Sequence, residues 1–224
     1  AAPESAAALW EALGGGAVVI EGWVDFALEC SVIVARNARG EVKVFPVAEN
    51  IHKHHILHIS LAPARILPAS LHAAESLACE IAEAIGVVGL LAVELFVKEG
   101  GGVIVNELAP RPHNSGHYTM DACATSQFEQ HIRAICGLPL GDVRLLSPVA
   151  MVNFLGDAWP RDAGGSISAP DWCAWLGDPH LKLHVYDKGE PSLKRKMGHV
   201  NLLAGSAEEA LGQAEAFCSR HTVS

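Results

Sequence analysis

The chain has 224 residues, of which 50% are hydrophobic and 18% are charged, and its formal net charge is −9. This length and composition suit one large domain, alone or with a small one, and exclude an intrinsically disordered chain. The acidic balance argues against a nucleic-acid partner, because phosphate backbones are bound by basic surfaces. The longest run of apolar residues and glycine, Ala84 to Val93, is far shorter than the roughly 20 residues of a membrane helix.

The cysteines and the start of the chain bear on the compartment. Without a C-x-x-C pair, the six cysteines favour neither a zinc site nor a disulfide framework, and we expect small buried side chains in a reducing cytoplasm. No basic residue precedes Arg36, so no signal-peptide n-region is expected. The chain begins at Ala1 without a methionine, and we expect that start to be a cut. The cysteines are Cys30, Cys79, Cys123, Cys136, Cys173 and Cys218.

The first predicted elements are a short helix and two strands. Ser5 to Leu13 predicts a helix, which the glycines at positions 14–16 end. Val18 to Val24 and Leu28 to Arg36 are rich in branched residues and predict strands. Asn37 to Gly40 is typical of a hairpin turn.

A longer helix and a hairpin are predicted next. Apolar residues at helical spacing from Leu71 to Ile85 predict a helix with Ser70 as its N-cap and Gly86 as its stop. Gly89 to Val97 and Val103 to Leu108 predict two strands joined by a glycine-rich turn.

In the second half of the chain the length and spacing of the predicted elements change. Asp121 to Cys136 predicts another helix, and a capping box of Ser206 and Glu209 predicts the start of a last one. After Leu146 and before that last helix, the sequence predicts shorter strands with proline and glycine between them. We therefore predict an α+β fold with a mainly antiparallel sheet, divided into a large domain, 1–147, and a small one, 148–224.

Two glutamates within these apolar strands suggest a site. A turn centred between Gly100 and Gly101 would place Glu94 directly opposite Glu107, where like charges repel. A bound divalent cation such as magnesium would resolve the repulsion, because it prefers oxygen ligands. On spacing alone the alternative stays open that one glutamate is solvated or pairs with Arg111.

The segment after these strands is a candidate site loop and carries a family resemblance. Asn106 to Thr119, N-E-L-A-P-R-P-H-N-S-G-H-Y-T, has no apolar periodicity beyond Leu108 and two stiffening prolines. Together with its continuation to His131, it closely resembles the signature of 5-(carboxyamino)imidazole ribonucleotide synthases, which are ATP-grasp ligases. R-K-M-G-H at 195–199 also resembles that family, and the likeness extends over residues 20–203.

The resemblance implies an ATP-grasp fold with ATP and magnesium as cofactors, and it assigns roles to matching positions. The implied nucleotide contacts are Glu21, Gly22, Trp23 and Val24 at the interdomain hinge, with Glu29, His52, Asn106 and Glu107. The implied magnesium ligands are Glu94 and Glu107. The residues implied to act on bicarbonate and carboxyphosphate are Arg111, His113 and Asn114. Those implied to bind the phosphate of the nucleotide substrate are Lys188, Arg195 and Lys196.

The resemblance also implies the reaction. ATP would phosphorylate bicarbonate to carboxyphosphate, and the amine of 5-aminoimidazole ribonucleotide would capture the carboxyl group, in de novo purine biosynthesis. A cytoplasmic homodimer is the implied state.

Two departures from the family pattern stand out. The family's glycine-rich, lysine-bearing lid and its amino-terminal domain precede the hinge, and we expect this chain to lack both. The family usually has Gly at 187, Arg at 192 and Pro-Gly at 193–194, where this chain has Asp187, Ser192, Leu193 and Lys194. Lys194 supplies a point charge where an arginine supplies a planar fork.

Three alternatives stay open. Another ATP-grasp ligase, such as a formate-dependent transformylase or a biotin-dependent carboxylase, would share the hinge and the carboxylates but not the loop 112–117. The chain could instead be a non-catalytic nucleotide-binding fragment or subunit. A histidine-rich metal-binding protein is the third, since four histidines lie close together, although such spacing more often lines a polar loop. These are His52, His54, His55 and His58.

Overall fold

The apolar runs of the sequence form one antiparallel sheet in the computed structural model, which describes residues 3–192, 194–221 and 223. Eight strands follow the order β6-β5-β1-β3-β4-β7-β9-β8, and β2 pairs with β1 at one side of this path. The strands are β1 (Leu28–Arg36), β2 (Val42–Val44), β3 (Ala48–Lys53), β4 (Ile56–Ala62), β5 (Gly89–Val97), β6 (Val103–Ala109), β7 (Val149–Leu155), β8 (Leu181–Val185) and β9 (Lys196–Leu203).

Helices cover the sheet on both faces. They are α1 (Pro3–Ala12), α2 (Pro68–Ala84), α3 (Thr119–Ala122), α4 (Gln127–Ile135), α5 (Trp172–Trp175) and α6 (Ala207–His221). The predicted α+β class with a mainly antiparallel sheet is confirmed, because every strand pair in the described residues is antiparallel.

Strand β1 is buried on both faces, which explains its unbroken apolar run. Val32 and Val34 pack with the alanines of α2 in one core cluster. Ile33 and Ala35 point to the other face, where a second cluster includes Tyr118 and residues of α4. A third cluster lies under α6. The sheet thus holds its central strands rigidly between two apolar layers.

Three sequence predictions about elements are wrong in detail. Residues 18–24 form no strand, and they are largely exposed rather than paired. Ser70 is not the N-cap of α2, which starts at Pro68, and its hydroxyl instead donates to the Gly101 carbonyl at 2.8 Å. The helix predicted from Asp121 to Cys136 is broken into α3 and α4, because Ser126 caps a new helix by accepting from the Glu129 amide at 3.1 Å.

The predictions about the end of α2 and about the cysteines can also be compared with the structure. The glycine stop after α2 is confirmed, since Gly86 has a φ of +64° that favours glycine. Buried cysteines are confirmed at Cys30, Cys123 and Cys218, whereas Cys136 and Cys173 are exposed. The domain boundary near residue 147 stays a prediction. Leu193 and the start at Ala1 lie outside the described residues.

None of the helices in the described part of the chain has the length and apolar character needed to cross a bilayer.

Candidate functional site

The two predicted carboxylates face each other across neighbouring strands. Glu94 on β5 is the register partner of Glu107 on β6, and the register shifts directly after Glu94. Glu94 is half-buried, whereas Glu107 is exposed. Burial raises the pKa of the Glu94 carboxyl, and the charge of Glu107 raises it further. The arrangement stores like-charge repulsion that a bound cation would relieve.

This pair suits a hard cation that also binds a phosphate. Among residues 3–192, 194–221 and 223, no group of three or more His, Cys, Asp or Glu side chains is placed to hold a metal. Magnesium, however, is commonly bound by one or two carboxylates, with substrate phosphates and water completing its shell. Glu94 and Glu107 fit that pattern.

A third acidic group lies on the same side of the sheet. Glu29 on β1 is adjacent to β5, and its Oε2 lies 2.6 Å from His52 Nδ1 on β3. The charge of Glu29 contributes to the raised pKa of Glu94, whereas His52 opposes it. The structure therefore brings Glu29, His52, Glu94 and Glu107 together in one acidic region.

The predicted hinge residues line a cleft beside this region. Residues 21–24 have no regular secondary structure, and together with Phe26, Phe96, Val105 and Asn106 they border a cleft of about 380 Å³. Phe26 stacks on Phe96 with ring centroids 4.4 Å apart, and this contact closes one wall. Trp23 is 89% exposed, so the cleft is open to solvent. Its size and aromatic wall suit a planar ring.

The loop after β6 is held in shape by a buried glutamine. Gln127 of α4 accepts from the His113 amide at 2.9 Å and donates to the His113 carbonyl at 2.7 Å. The side-chain nitrogen of Gln127, Nε2, also lies 2.8 Å from His117 Nδ1. The two hydrogen bonds to the His113 backbone fix the loop at this residue. The Nε2 atom of its ring lies 3.2 Å from Glu94 Oε1. Burial, with a smaller contribution from the charge of Arg111, lowers the pKa of His113 to about 4.

A polar corner lies on the other side of the loop. Asn114 exchanges two hydrogen bonds with Asn153 of β7, at 2.9 and 2.7 Å. Lys196 Nζ, at the start of β9, donates to Asn114 Oδ1 at 2.7 Å. Burial lowers the pKa of Lys196, and the charge of Glu94 opposes this shift. The corner presents an ammonium and an amide that can donate to an anion.

Behind the loop a stack of histidines joins it to β8 and β9. The His184 and His199 rings stack at 4.4 Å, and the His117 ring lies 5.0 Å from His199. Asp121 Oδ2 lies 2.8 Å from His184 Nε2, and this hydrogen bond helps to lower the aspartate pKa against the opposing effect of burial. Tyr186 Oη lies 2.8 Å from His199 Nδ1. Burial lowers the pKa of both His117 and His199, so neutral rings are favoured here.

The remaining predicted residues are exposed. Arg111 donates to the Pro112 carbonyl at 3.2 Å. Arg195 donates to the Lys188 carbonyl at 2.7 Å, and Lys188 Nζ lies 5.2 Å above the Tyr186 ring. Their cationic groups are therefore available to solvent. Among the described residues, no ion pair joins Arg195 or Lys188 to Glu94 or Glu107.

Sequence reasoning missed two residues that organise the site. Gln127 and Asn153 were assigned no role, although Gln127 belongs to the quoted signature. A signal was available only for Asn153, which lies between Val152 and Phe154 on β7, because a polar side chain buried in an apolar strand needs hydrogen-bonding partners.

Comparison with known proteins places this geometry in a family. A family model of the ATP-grasp domain matches residues 1–128. A second one, described as the phosphoribosylaminoimidazole carboxylase C-terminal domain, matches residues 149–213. The chain therefore belongs to the ATP-grasp family, and the resemblance stated from the sequence is confirmed.

Within that family the chain is similar to N5-carboxyaminoimidazole ribonucleotide synthases. It is 48% identical over 210 residues to one from Bacillus subtilis, with 92% of this chain and 51% of that protein covered. The synthetase structure from Thermus thermophilus matches with a TM-score of 0.85 at 39% identity, over 98% of this chain and 57% of that one. An Aspergillus clavatus synthase in complex with ADP and 5-aminoimidazole ribonucleotide gives a TM-score of 0.76 at 32% identity, over 88% and 53% of the two chains. The chain thus spans about half the length of these relatives.

Proposed function

We propose that the protein carrying this chain is an ATP-dependent ligase that carboxylates the amine of 5-aminoimidazole ribonucleotide with bicarbonate. The observation that carries the proposal is the pair Glu94 and Glu107, which face each other beside the corner formed by Asn114 and Lys196. A like-charge pair next to an anion-binding corner suits a reaction that joins a nucleoside triphosphate to a small anion.

In this proposal each side of the site has its own task. The cleft along residues 21–24 takes the adenine, Glu29 and His52 lie toward the ribose, and Asn106 lies toward the phosphates. Glu94 and Glu107 would hold magnesium, which would neutralise charge on the phosphate oxygens.

The loop and the corner act on the acceptor anion. Arg111, His113 and Asn114 orient bicarbonate so that its oxygen attacks the terminal phosphorus, giving carboxyphosphate and ADP. The substrate amine then attacks the carboxyl carbon, phosphate leaves, and the amine loses a proton to give the carbamate. The low pKa of His113, about 4, keeps its ring neutral at pH 7, so it can accept a hydrogen bond. Lys188, Arg195 and Lys196 lie toward the phosphate of the nucleotide substrate.

The aspergillus relative supports the substrate assignment, since its structure contains ADP and 5-aminoimidazole ribonucleotide. The direct test is ADP release from the purified protein with bicarbonate and the ribonucleotide present or omitted. We expect full release only with both. ADP release at the same rate with and without bicarbonate would contradict the proposal.

Arg111→Lys sharpens this test, because lysine keeps the charge but loses the planar fork. We expect bicarbonate-dependent ADP release to fall about 10-fold or more, in line with a lost charged hydrogen bond. The matched control is Arg144→Lys, which alters an exposed arginine whose Nε lies 2.9 Å from Asp142 Oδ2 and should leave release unchanged. Equal rates in the two variants would remove Arg111 from the anion site.

A further inference from the structure

The ladder between β4 and β7 stops before either strand ends. The two strands pair only as far as Ile59 and Val152, although β4 still pairs with β3 beyond that point and β7 still pairs with β9. The segments 56–58 and 153–155 therefore part from each other. Residues of both segments line the resulting cavity, which has a volume of about 190 Å³. A gap of this size can accept part of a small ligand.

The solvent side of this cavity is cationic, although the chain as a whole is acidic. Lys53 at the end of β3 and Lys194 before β9 are both exposed and border the cavity, and so does His54 in the turn after β3. The charge of Lys53, added to burial, helps to lower the pKa of His58 at the cavity wall to about 4. Among the described lining residues, these two ammonium groups are accompanied by one carboxylate, that of Asp157. In a chain of net charge −9, this local excess of cations favours an anionic ligand.

The turn at the edge of the cavity uses residues that its backbone disfavours. His54 and His55 connect the paired residues Lys53 and Ile56, and their φ values are +50° and +64°. A two-residue turn with positive φ at both positions strongly prefers asparagine or aspartate followed by glycine, because other side chains crowd the backbone there. The turn is therefore less stable than its geometry allows. Strain of this kind points to a function for the side chain that causes it, and the imidazole of His54 borders the cavity.

One buried side chain separates the cavity from the corner of the site. Asn153, which is 1% exposed, borders the cavity and donates across the gap to the Leu57 carbonyl at 2.9 Å. The same amide donates to Asn114 Oδ1 at 2.7 Å, and Lys196 of β9 donates to that oxygen as well. A ligand at the cavity therefore lies next to the groups proposed to act on the acceptor anion. A ribonucleotide can then place its base toward the corner and its phosphate, at the far end of the ribose, toward the cavity.

We infer that Lys53, His54 and Lys194 bind the phosphate monoester of the nucleotide substrate at the solvent side of this cavity. A phosphate monoester presents three acceptor oxygens, and two ammonium groups with one imidazole N–H supply matching donors. Lys194 also places a cation two residues from Ser192, where the family usually has an arginine. The choice of ligand rests on the proposed function, whereas the site itself rests on the cavity and its charges.

Steady-state ADP release at varied ribonucleotide concentration tests the two lysines. Lys53→Met and Lys194→Met each remove a charged donor but keep most of the side chain, so we expect KM for 5-aminoimidazole ribonucleotide to rise about 10-fold in each. KM for ATP, and kcat at saturating ribonucleotide, should stay as in the parent protein. Lys43→Met, which alters an exposed lysine on β2, is the control and should change none of these values. An unchanged KM for the ribonucleotide in either variant would overturn the inference.

Calorimetric titration with ribose 5-phosphate separates this inference from the proposed reaction, because it needs no turnover. The parent protein should bind ribose 5-phosphate but not ribose, and Lys194→Met should weaken that binding about 10-fold. Equal affinity of the two proteins, with bicarbonate-dependent ADP release intact, would overturn the inference alone. Weakened binding in a protein that releases no ADP would support the site and contradict the proposed function.

Inorganic phosphate as an inhibitor distinguishes a substrate phosphate from free phosphate. If both bind at the same place, inorganic phosphate should compete with the ribonucleotide, and its inhibition constant should rise about 10-fold in Lys194→Met. Weaker inhibition by phosphate together with an unchanged KM for the ribonucleotide would show that the cavity takes free phosphate only, contrary to the inference.

Replacing the turn tests His54 through two opposite effects. His54→Asp combined with His55→Gly gives the turn its preferred residues, so the midpoint of thermal unfolding should rise. KM for the ribonucleotide should nevertheless increase about 10-fold or more, because a carboxylate near the phosphate repels it. His55→Gly alone is the matched control, and it should raise the midpoint without changing KM. Equal KM values in the two variants would show that position 54 does not face the phosphate.

Discussion

The two sides of the site differ in how much of it the protein completes by itself. On one side Glu29, Glu94 and Glu107 gather negative charge around an open cleft. On the other side the loop that contains His113 and Asn114 is hydrogen-bonded to α4, β7 and β9. The acidic side holds like charges that an added cation would balance, whereas the loop side is preorganised by buried amides.

This difference indicates where catalytic power would be lost most easily. If the proposed function is right, removing a charge from the acidic side changes the affinity for a cation bound with a triphosphate. Altering the loop side disturbs geometry that the fold has already fixed, so its cost should appear in stability as well as in activity. The predictions that follow separate these two cases, from the largest expected effect to the smallest.

The largest effect is expected from Glu107→Gln on the acidic side. The variant keeps the shape of the side chain but removes a proposed cation ligand, so we expect ADP release to fall on the order of 10³-fold. Thermal stability should be unchanged or higher, because the repulsion with Glu94 is removed. Glu99→Gln, an exposed glutamate in the turn of the same hairpin, is the control and should keep full activity. Near-normal release by Glu107→Gln would contradict the role of the pair.

Lys196→Met should have the next largest effect. It removes the ammonium that donates to Asn114 Oδ1 but keeps most of the side-chain volume. We expect kcat/KM for 5-aminoimidazole ribonucleotide to fall about 10- to 100-fold, the cost of a hydrogen bond to a charged group. Lys182→Met on the neighbouring strand β8 alters an exposed lysine and should change nothing. A loss confined to the affinity for ATP would move Lys196 from the loop side to the nucleotide side.

The two buried glutamines of α4 permit a matched comparison on the loop side. Gln127→Met leaves the His113 backbone without its partners, and Gln130→Met does the same to Gly141. Both should lower the free energy of unfolding by about 1–3 kcal/mol, because each leaves buried backbone groups unpaired. Only Gln127→Met should also lower kcat, by about 10-fold, since it alone releases the loop. Chemical denaturation together with steady-state kinetics checks both statements, and equal kcat values would show that the hydrogen bonds to His113 serve stability alone.

The smallest effect on ADP release at neutral pH is expected from the buried histidines, which instead make stability depend on pH. His58, His113 and His117 have pKa values of about 4, against an ordinary value of 6.5. Between these pH values the unfolded chain binds protons that the folded chain does not. Stability should therefore fall as the pH falls from 6.5 toward 4, by up to about 1.4 kcal/mol per pH unit for each histidine.

Denaturant titrations at several pH values between 4 and 7 measure this slope. His117→Asn should flatten it, because the variant removes one of the buried rings. His72→Asn, which alters an exposed histidine, should leave the slope as it is. An identical slope in the two variants would mean that His117 binds protons equally well in the folded and unfolded chain.

The sequence predicts that Glu94 faces Glu107, and it does, but the predicted turn centre is wrong. Next to the turn Val97 pairs with Val103, and the register shift directly after Glu94 is what brings Glu107 opposite it. The sequence fails for residues 18–24, since a run of branched residues forms a strand only where a neighbouring strand supplies hydrogen bonds. It also fails at Ser126, where a local cap outcompetes the continuation of a helix. The roles of Gln127 and Asn153 depend on backbone groups distant in sequence, which no local pattern encodes.

The continuous sheet has a mechanical consequence. Strand β4 pairs with β7, and β7 with β9, so the carboxylates and Lys196 are tied together by backbone hydrogen bonds across the whole molecule. We therefore expect these groups to keep fixed positions relative to one another. Within this chain we therefore expect motion that admits or releases a ligand in segments outside the ladder, such as the largely exposed stretches 17–26 and 186–192.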